Sequence, residues 1–544
     1  MAEMEKWALL SVFDKTGIAG FAQRLVGLGW GILASGGTAK VLKEAGISVK
    51  DVSELVGGGA ILGHRVVTLS REVHAGLLAN LNDPAQIKEM ESLGLPIIRM
   101  VVCDFYPLQD AIAKSDATID SVVELTDIGG PCMVRSAAKG GRIVVCRFQD
   151  REPMLKELEE SGDISSETHQ KLRARAEFEV AKYVLESAKF HGQGQFEGIM
   201  GELALSAKYG ENAPQAPAGL FSTRAKDDSF ALDRFHVVEG MTPSYNNLCD
   251  LDRLLQTLTH MIAGFQLNFD RIPFVAVGVK HGNPCGAAMG FETPMETVIA
   301  VARGDRRAIF GGWLIFNFPI TGDLTESLVR EATSDATKKQ LFDGVVAPSF
   351  DPEAIEVLKR RTDRCRLVVN PALGSVAHDP RLDMVKRIRY VRGGFLVQPN
   401  YTFVLDFGHP RMRVFGNRDQ KAEQCLLLAW AVGATSNSNT VTIVRDNMLI
   451  GNGVGQQDRV GAAELALKRA RDAGHGDKLQ GAVAYSDSFF PFPDAVEVLI
   501  GAGITAILST SGAGRDEEIQ RLCMRNNVLL YQLPDTVARG FFGH

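Results

Sequence analysis

The segment Lys280-His281-Gly282-Asn283-Pro284-Cys285-Gly286 sets two proton-handling side chains side by side at the end of the apolar run Ile272–Lys280. An apolar run closed by Gly, Asn and Pro reads as a strand entering a turn. A Lys and a His in such a turn can donate and accept protons near neutral pH. A single histidine satisfied in the core would explain His281 alone; its neighbour Lys280 favours chemistry. Pro284-Cys285 raises a second possibility, because zinc deaminases combine His-x-Glu with Pro-Cys-x-x-Cys. Here Gly286-Ala287-Ala288 follows, so the second cysteine is missing, no Glu stands at the required spacing, and no metal is expected.

Three other segments carry polar groups in suggestive patterns. Ser35-Gly36-Gly37-Thr38 follows the apolar stretch Gly31–Ala34 and opens a helical pattern. Glycines there let backbone N–H groups approach a phosphate at a helix N-terminus, although a plain tight turn needs the same residues. Lys15 and Arg65 are cations able to reach one phosphate there, although each taken alone is more often a solvated surface charge. Asp127, in Thr126-Asp127-Ile128-Gly129-Gly130, precedes a helix containing Arg135 and Lys139. It fits a helix N-cap, or a proton-transfer pair with a lysine facing the same pocket. Ser486–Asp494 gathers Phe489, Phe490 and Phe492 with two prolines, which suits either a core or a platform for a flat heterocycle.

The elements that must position these groups alternate along the chain. Trp7–Val12, Gly31–Ala34, Ile98–Cys103 and Arg142–Cys146 read as strands, with helical patterns such as Phe21–Leu28 between them. Such alternation predicts a parallel sheet covered by helices, with ligands at the carboxyl ends of its strands. A long charged helix is expected over Glu167–Lys189, then a Gly- and Gln-rich linker at Gly192–Glu197, giving domains 1–192 and 193–544. The second domain is again α/β. Asp343–Pro348, Thr440–Val444 and Gly481–Tyr485 read as strands, Asp351-Pro352 as a helix start, and Gly451–Gly455 as a turn. Strand-to-helix units in both of its halves suggest two related subdomains.

The 544 residues exceed one core, and 45% hydrophobic with 23% charged residues is ordinary for a globular protein. A net charge of -6 gives no case for a nucleic-acid polymer as partner. No stretch of about 18 uncharged apolar residues predicts a membrane span. Met1–Lys6 lacks the pattern of a signal peptide, and eight cysteines without a Cys-x-x-Cys pair read as reduced thiols, so a cytoplasmic protein is expected.

Taken in order, the motifs resemble the bifunctional family that joins aminoimidazole carboxamide ribonucleotide (AICAR) transformylase to IMP cyclohydrolase. The matching stretches are Ser11-Val-Phe-Asp-Lys15-Thr-Gly, Ser35-Gly-Gly-Thr, Asp127-Ile-Gly-Gly, Tyr209-Gly-Glu-Asn, Ser244-Tyr-Asn-Asn, Lys280–Gly286, Gly453-Val-Gly-Gln and Ser486–Asp494. The resemblance implies a methylglyoxal-synthase-like parallel sheet domain, then a transformylase of two cytidine-deaminase-like α/β subdomains. It implies a homodimer, 10-formyltetrahydrofolate as cosubstrate, AICAR, its formylated form FAICAR and IMP as nucleotides, and no catalytic metal. His281 would relay the amine proton, Lys280 would assist the folate leaving nitrogen, and Asn439 would hold the formyl oxygen. Lys208, Tyr209, Gly311, Asp343, Arg459 and Arg539 would bind substrate, with Phe489 and Pro491 against folate.

For ring closure the resemblance implies Tyr106, Asp127 and Lys139 as catalytic residues. Ser11, Lys15, Ser35, Gly36, Gly37, Thr38, Arg65 and Thr68 would hold the nucleotide. The sequence departs from the family pattern at several places. The family's Arg-Val-Lys-Thr-Leu-His-Pro reads Arg65-Val66-Val67-Thr68-Leu69-Ser70-Arg71, so the active-site lysine is Val67. Lys208 stands for an arginine, Asn212-Ala213-Pro214-Gln215 lacks a histidine, and Asp305-Arg306-Arg307 replaces Asp-Pro-x, where the added arginines can compensate for lost phosphate contacts. A transformylase without cyclohydrolase activity, or a nucleotide-binding regulatory protein, are the alternatives these changes raise.

Overall fold

The computed structural model describes residues 6–62, 66–223, 228–333, 338–376 and 382–543. The chain forms two compact units, Met1–Met200 and Gly201–His544.

In the first unit, five strands form one sheet: β1 (Lys6–Ser11), β2 (Trp30–Ala34), β3 (Lys50–Asp51), β4 (Ile98–Cys103) and β5 (Ile143–Val145). Their order is β3-β2-β1-β4-β5 and all four pairings are parallel. Helices must therefore cross over both faces, and the sheet carries a buried core on each. The expected strand Ile98–Cys103 matches β4 in both bounds, and the long helix runs Ser166–Gly192 from an N-cap at Ser165. Ser11, Ser35 and Asp104 all sit at or just beyond carboxyl ends of strands.

The second unit starts with an antiparallel ribbon, β6 (Glu202–Ala207) and β7 (Ala218–Ser222). Six strands follow: β8 (His236–Glu239), β9 (Phe274–Lys280), β10 (Asn283–Gly290), β11 (Trp313–Phe316), β12 (Gly344–Ala347) and β13 (Arg366–Val369). A second ribbon, β14 (Arg387–Val391) with β15 (Gly394–Gln398), separates them from six more. These are β16 (Arg413–Phe415), β17 (Val441–Arg445), β18 (Met448–Gly453), β19 (Val483–Ser486), β20 (Ala506–Ser511) and β21 (Leu529–Pro534).

The two sets of six form one sheet in the order β16-β21-β20-β19-β17-β18-β10-β9-β11-β12-β13-β8. Read outward from the central β10–β18 pair, the halves have the same connectivity. Each has a hairpin, an antiparallel third strand, two parallel strands and an antiparallel edge. The related subdomains suggested by the sequence are thus two copies of one motif, joined antiparallel at Ala288↔Met448. The helices Tyr245–Phe269 and Gln420–Gly433 pack together on one face over a core shared by both halves. Each half has its own core on the other face.

One expectation is corrected. Gly451–Gly455 is not a turn as a whole, because Gly451–Gly453 end β18 and the hairpin turn lies earlier, at Asp446-Asn447. The glycines answer to packing instead. A Cβ on Gly453 would overlap the carbonyl oxygen of Ala462 in the helix Arg459–Asp472, which lies directly on the strand. Gly453→Ala is therefore expected to cost ~3 kcal/mol, at the upper end of overpacking penalties, and to lower the midpoint of thermal unfolding. An unchanged midpoint would contradict this account of the close approach.

Candidate active sites

The Lys280–Asn283 turn is a two-residue hairpin in which His281 (φ 55°) and Gly282 (φ 70°) both take the left-handed conformation. That is the type I′ geometry that follows the twist of paired strands. Gly282 adopts it freely, whereas His281 is an uncommon residue at such an angle and is exposed. An outside group holds the turn in place. Asp250, buried in the first turns of the helix Tyr245–Phe269, accepts the Gly282 N–H through Oδ1 at 2.7 Å. Burial raises the Asp250 carboxyl above its usual range, opposed by the Gly282 N–H and by His281. The helix itself begins in a capping box between Ser244 and Asn247.

Lys280 extends its ammonium to the carbonyl of Phe310 at 2.7 Å, which places the Phe310-Gly311-Gly312 loop beside the turn. Gly311 donates to the Leu341 carbonyl at 2.8 Å, and Asp343 N–H to Gly312 at 3.1 Å. The Asp343 carboxylate is occupied by Arg360 at 2.9 Å. On the other side, Asn283 Oδ1 accepts the Asn437 N–H at 3.1 Å, and Asn452 Nδ2 donates to the Pro284 carbonyl at 2.9 Å. These two bonds tie the hairpin to the strand entry that carries Asn439. Asn439 donates one side-chain N–H to the Gln456 carbonyl at 2.9 Å and keeps a second one available.

Beyond Asn439 the site continues into Arg459, which is ion-paired with the fully buried Asp487 and 3.3 Å from Ser486 Oγ. Burial pushes the Asp487 carboxyl up and Arg459 opposes it. Arg539 pairs with Asp535 at 2.8 Å and lies 5.9 Å from the centre of the Phe489 ring. Phe489 is half-buried and Pro491 exposed, whereas Phe490 belongs to the core. Lys208 and Tyr209 lie just after β6, and that segment is joined to the Asn246 side chain through the Glu211 carbonyl at 3.2 Å. None of the described contacts joins Lys208 or Tyr209 to the Lys280–His281 turn.

The equivalent turn of the second repeat is Arg445-Asp446-Asn447, also with both central residues left-handed (φ 51° and 59°). There Asp446 is paired with Arg445 at 3.2 Å and Lys478 at 3.9 Å. The repeated motif thus presents lysine and histidine at only one of its two turns. Cys285 lies just after the Lys280–Asn283 turn, its thiol pushed up to about 12 by burial.

In the first unit the polar residues gather at the carboxyl ends of β1, β2 and β4. The helix Gly36–Glu44 begins at Ser35, whose side chain makes no cap bond, leaving its first N–H groups open to an anion. Lys15 approaches this turn: a Cβ on Gly37 would lie 3.7 Å from Lys15 Cε. The Lys15 ammonium is bonded to the Phe13 carbonyl at 3.1 Å, and burial lowers its pKa. The Thr38 hydroxyl is buried against the Val12 backbone at 3.2 Å, so only its N–H faces outward.

Asp127 accepts the Gly130 N–H at 2.9 Å, but the N-cap of the helix Gly129–Lys139 is Ile128, so Asp127 reaches the first turn from one residue ahead of the cap. Burial raises its carboxyl pKa. Lys139 ends that same helix, ten residues after Gly129 and about 15 Å along the axis. The chain does not bring Asp127 and Lys139 together as a proton-transfer pair. Tyr106 is exposed and stacks edge-on against Phe13 at 5.6 Å. Thr68 is buried near Gly129, Val67 packs against the apolar core, and Arg65 lies outside the described residues.

Comparison with known proteins adds a second line of support. The family described as the AICARFT/IMPCHase bienzyme matches residues 137–469, and an MGS-like domain matches residues 17–132. The bifunctional purine biosynthesis protein PurH of Bacillus mycoides (strain KBAB4) is 34% identical over 524 residues, covering 95% of this chain and 96% of that protein. PurH of Bacillus cereus (strain AH820) gives the same figures. The crystal structure of ForH matches 35% of this chain and 100% of its own at 32% identity, with a TM-score of 0.31.

The chain belongs to the AICARFT/IMPCHase bienzyme family. Members of this family are bifunctional enzymes of purine biosynthesis, AICAR transformylase and IMP cyclohydrolase. The fold agrees, with an MGS-like parallel sheet followed by a large mixed α/β sheet. The junction between the two matched regions falls near residues 132–137, inside the helix Gly129–Lys139, so it is not a structural boundary.

Four further residues support the candidate sites, three of them with no sequence signal of their own. Asp250 and Asn283 brace the Lys280–His281 turn, and Asp104 in the first unit accepts the Asp14 N–H at 3.4 Å while pairing with buried Arg151 at 3.6 Å. Phe542 is the fourth. Its ring lies between the guanidinium groups of Arg253 (3.7 Å) and Arg387 (3.6 Å), with the Arg253 pKa lowered to about 9 by burial. Its N–H bonds to the Ser436 carbonyl at 3.0 Å, and the next carbonyl, Gly543, accepts the Ser438 N–H at 3.1 Å. This clamp holds the Ser436–Asn439 segment from behind. Phe542→Ala is expected to lower kcat for formyl transfer ~10-fold through loss of position at Asn439, with Phe542→Tyr restoring it. Equal loss in both variants, measured by steady-state kinetics, would reject the clamp.

Proposed function

We propose that this chain transfers the formyl group of 10-formyltetrahydrofolate to the 5-amino group of AICAR and closes the product FAICAR to IMP. The observation that carries the first step is the Lys280–His281 turn, held by Asp250 and joined to the Asn439 segment through Asn283. The AICAR amine is a weak nucleophile, so it must lose a proton as it attacks the formyl carbon. His281 takes that proton, and the second N–H of Asn439 donates to the oxygen as it gains negative charge. Collapse of the tetrahedral intermediate breaks the bond to N10 of the folate. Lys280 assists delivery of one proton to that nitrogen, so the amine loses a proton and the released tetrahydrofolate gains one.

In this reading Arg459 and Arg539, with Lys208, Tyr209, Gly311 and Asp343, bind the nucleotide. Phe489 and Pro491 lie against the folate. Residues 193–544 form the transformylase and residues 1–192 the cyclohydrolase-type domain. There Ser11, Lys15, Ser35, Gly36, Gly37, Thr38, Arg65 and Thr68 hold the nucleotide, with Tyr106, Asp127 and Lys139 as its catalytic groups, Asp127 and Lys139 acting separately and not as a proton-transfer pair. The active species is a cytoplasmic homodimer. Purified protein given AICAR and 10-formyltetrahydrofolate is expected to release tetrahydrofolate; folded protein with no release would reject the assignment.

One observation favours a second reading, a transformylase with impaired ring closure. Val67 stands where the family pattern has a lysine, and its side chain packs against the core. It supplies neither charge nor proton at that position.

A further inference from the structure

A cavity of about 620 Å³ opens beside the Lys280–His281 turn. Its volume is that of a site for a cofactor-sized molecule. Its wall opposite the turn comes from the short helix Arg306–Ile309 and from the helix Arg459–Asp472. Four cationic side chains, Lys280, Arg307, Lys468 and Arg469, face two carboxylates, Asp305 and Asp472, which leaves two positive charges in excess.

Three of the cations are already engaged. Lys280 is bonded to the Phe310 carbonyl at 2.7 Å, Lys468 to Asp472 at 2.6 Å, and Arg469 is 3.5 Å from Asp305. Asp305 also caps its own helix through the Ala308 N–H at 2.9 Å. Arg307 is exposed and has no hydrogen bond or ion pair among the described residues. Its neighbour Arg306 is used structurally, donating to the Glu331 carbonyl at 2.9 Å. Of the two arginines that depart from the family pattern, only Arg307 is therefore open to a ligand.

We propose that Arg307 is a cosubstrate-specificity residue that binds the glutamyl carboxylates of the folate in this cavity. The inference rests on the transformylase reading above. The leaving nitrogen of the folate must lie near Lys280, and the carboxylates of its glutamyl group lie one aromatic ring beyond that nitrogen. Arg307 lines the same cavity as Lys280, and Phe310, whose carbonyl holds Lys280, follows it by three residues. A planar guanidinium matches a carboxylate with two parallel hydrogen bonds, and a doubly charged glutamyl group balances the two positive charges in excess.

The test compares the full-length protein with Arg307→Gln. Binding of tetrahydrofolate and of tetrahydropteroate, which lacks the glutamyl group, is measured by calorimetry, with steady-state KM values for AICAR and for the two formylated cosubstrates. Arg307→Gln is expected to weaken tetrahydrofolate binding, and to raise the KM of its formyl derivative, ~10-fold. Tetrahydropteroate binding, kcat and the KM for AICAR stay within two-fold. Equal weakening of both pterins, or no weakening of either, would overturn the proposal. A rise confined to AICAR would overturn it too, and would assign the cavity to the nucleotide phosphate. Absence of turnover in the parent protein would reject the transformylase reading, while the calorimetric comparison would still decide the role of Arg307.

Discussion

His281→Ala is expected to lower kcat for formyl transfer ~10²–10⁴-fold, the range for losing a positioned general base. KM values for AICAR and the formyl-folate are expected to change by less than three-fold, because the imidazole's largest contribution comes as the amine loses its proton. The turn itself survives the substitution. Its position depends on the Gly282 N–H bonded to Asp250 and on the Asn283 side chain bonded to Asn437, neither of which involves the imidazole. Alanine is slightly strained at the left-handed φ of this position, so His281→Gly is the companion variant; it relieves the backbone while still removing the base. Both variants are expected to lose activity alike. Recovery of activity in the glycine variant, measured as tetrahydrofolate release in steady state, would show that His281 shapes the turn and does not move the proton.

What could be read in the sequence, and what could not, follows from the range of the interactions. Strands buried on both faces appear as apolar runs, so Ile98–Cys103 was recognisable with its bounds. A local cap such as Asp351, which accepts the Ala354 N–H at 2.7 Å ahead of Pro352, was equally plain. The duplicated motif was only suggested, because its two hairpin turns share geometry but not residues: Lys280-His281-Gly282 in one and Arg445-Asp446-Asn447 in the other. Gly451 and Gly453 resembled turn residues, since nothing local tells a glycine that bends the chain from one that admits a helix.

Within the sites, Lys280 and His281 announced themselves by adjacency. Asp250 and Phe542 could not, because their partners are 32 and more than 100 positions away in the chain. Asp127 shows the opposite error. Its distance from Lys139 was short in sequence, but an intervening helix turned twelve residues into separation. Arg306 and Arg307 were alike as sequence, and only the position of the Glu331 carbonyl distinguishes the structural one from the open one.

Val67→Lys is the variant with the largest expected gain. Val67 directly precedes Thr68, whose side chain is buried beside Gly129 at the start of the helix Gly129–Lys139. Elsewhere in the same unit, groups suited to holding an anion are present: the open N–H groups after Ser35 and the Lys15 ammonium next to Gly37. In the proposed ring closure, Val67 supplies no proton donor or cation to act on the oxygen lost as water. A lysine there can lay its alkyl stem on the apolar surface Val67 now covers and carry its ammonium beyond that surface. Restoring one charged donor to a developing oxyanion is expected to raise the rate of FAICAR closure ~10²-fold, by analogy with the cost of deleting such a donor. Formyl transfer, which the proposed function assigns to the other unit, is expected to stay unchanged and serves as the control for folding. The measurement is conversion of supplied FAICAR to IMP by parent and variant against a protein-free blank. Fast closure by the parent, unimproved by the lysine, would show that this bienzyme closes the ring without a cation at position 67.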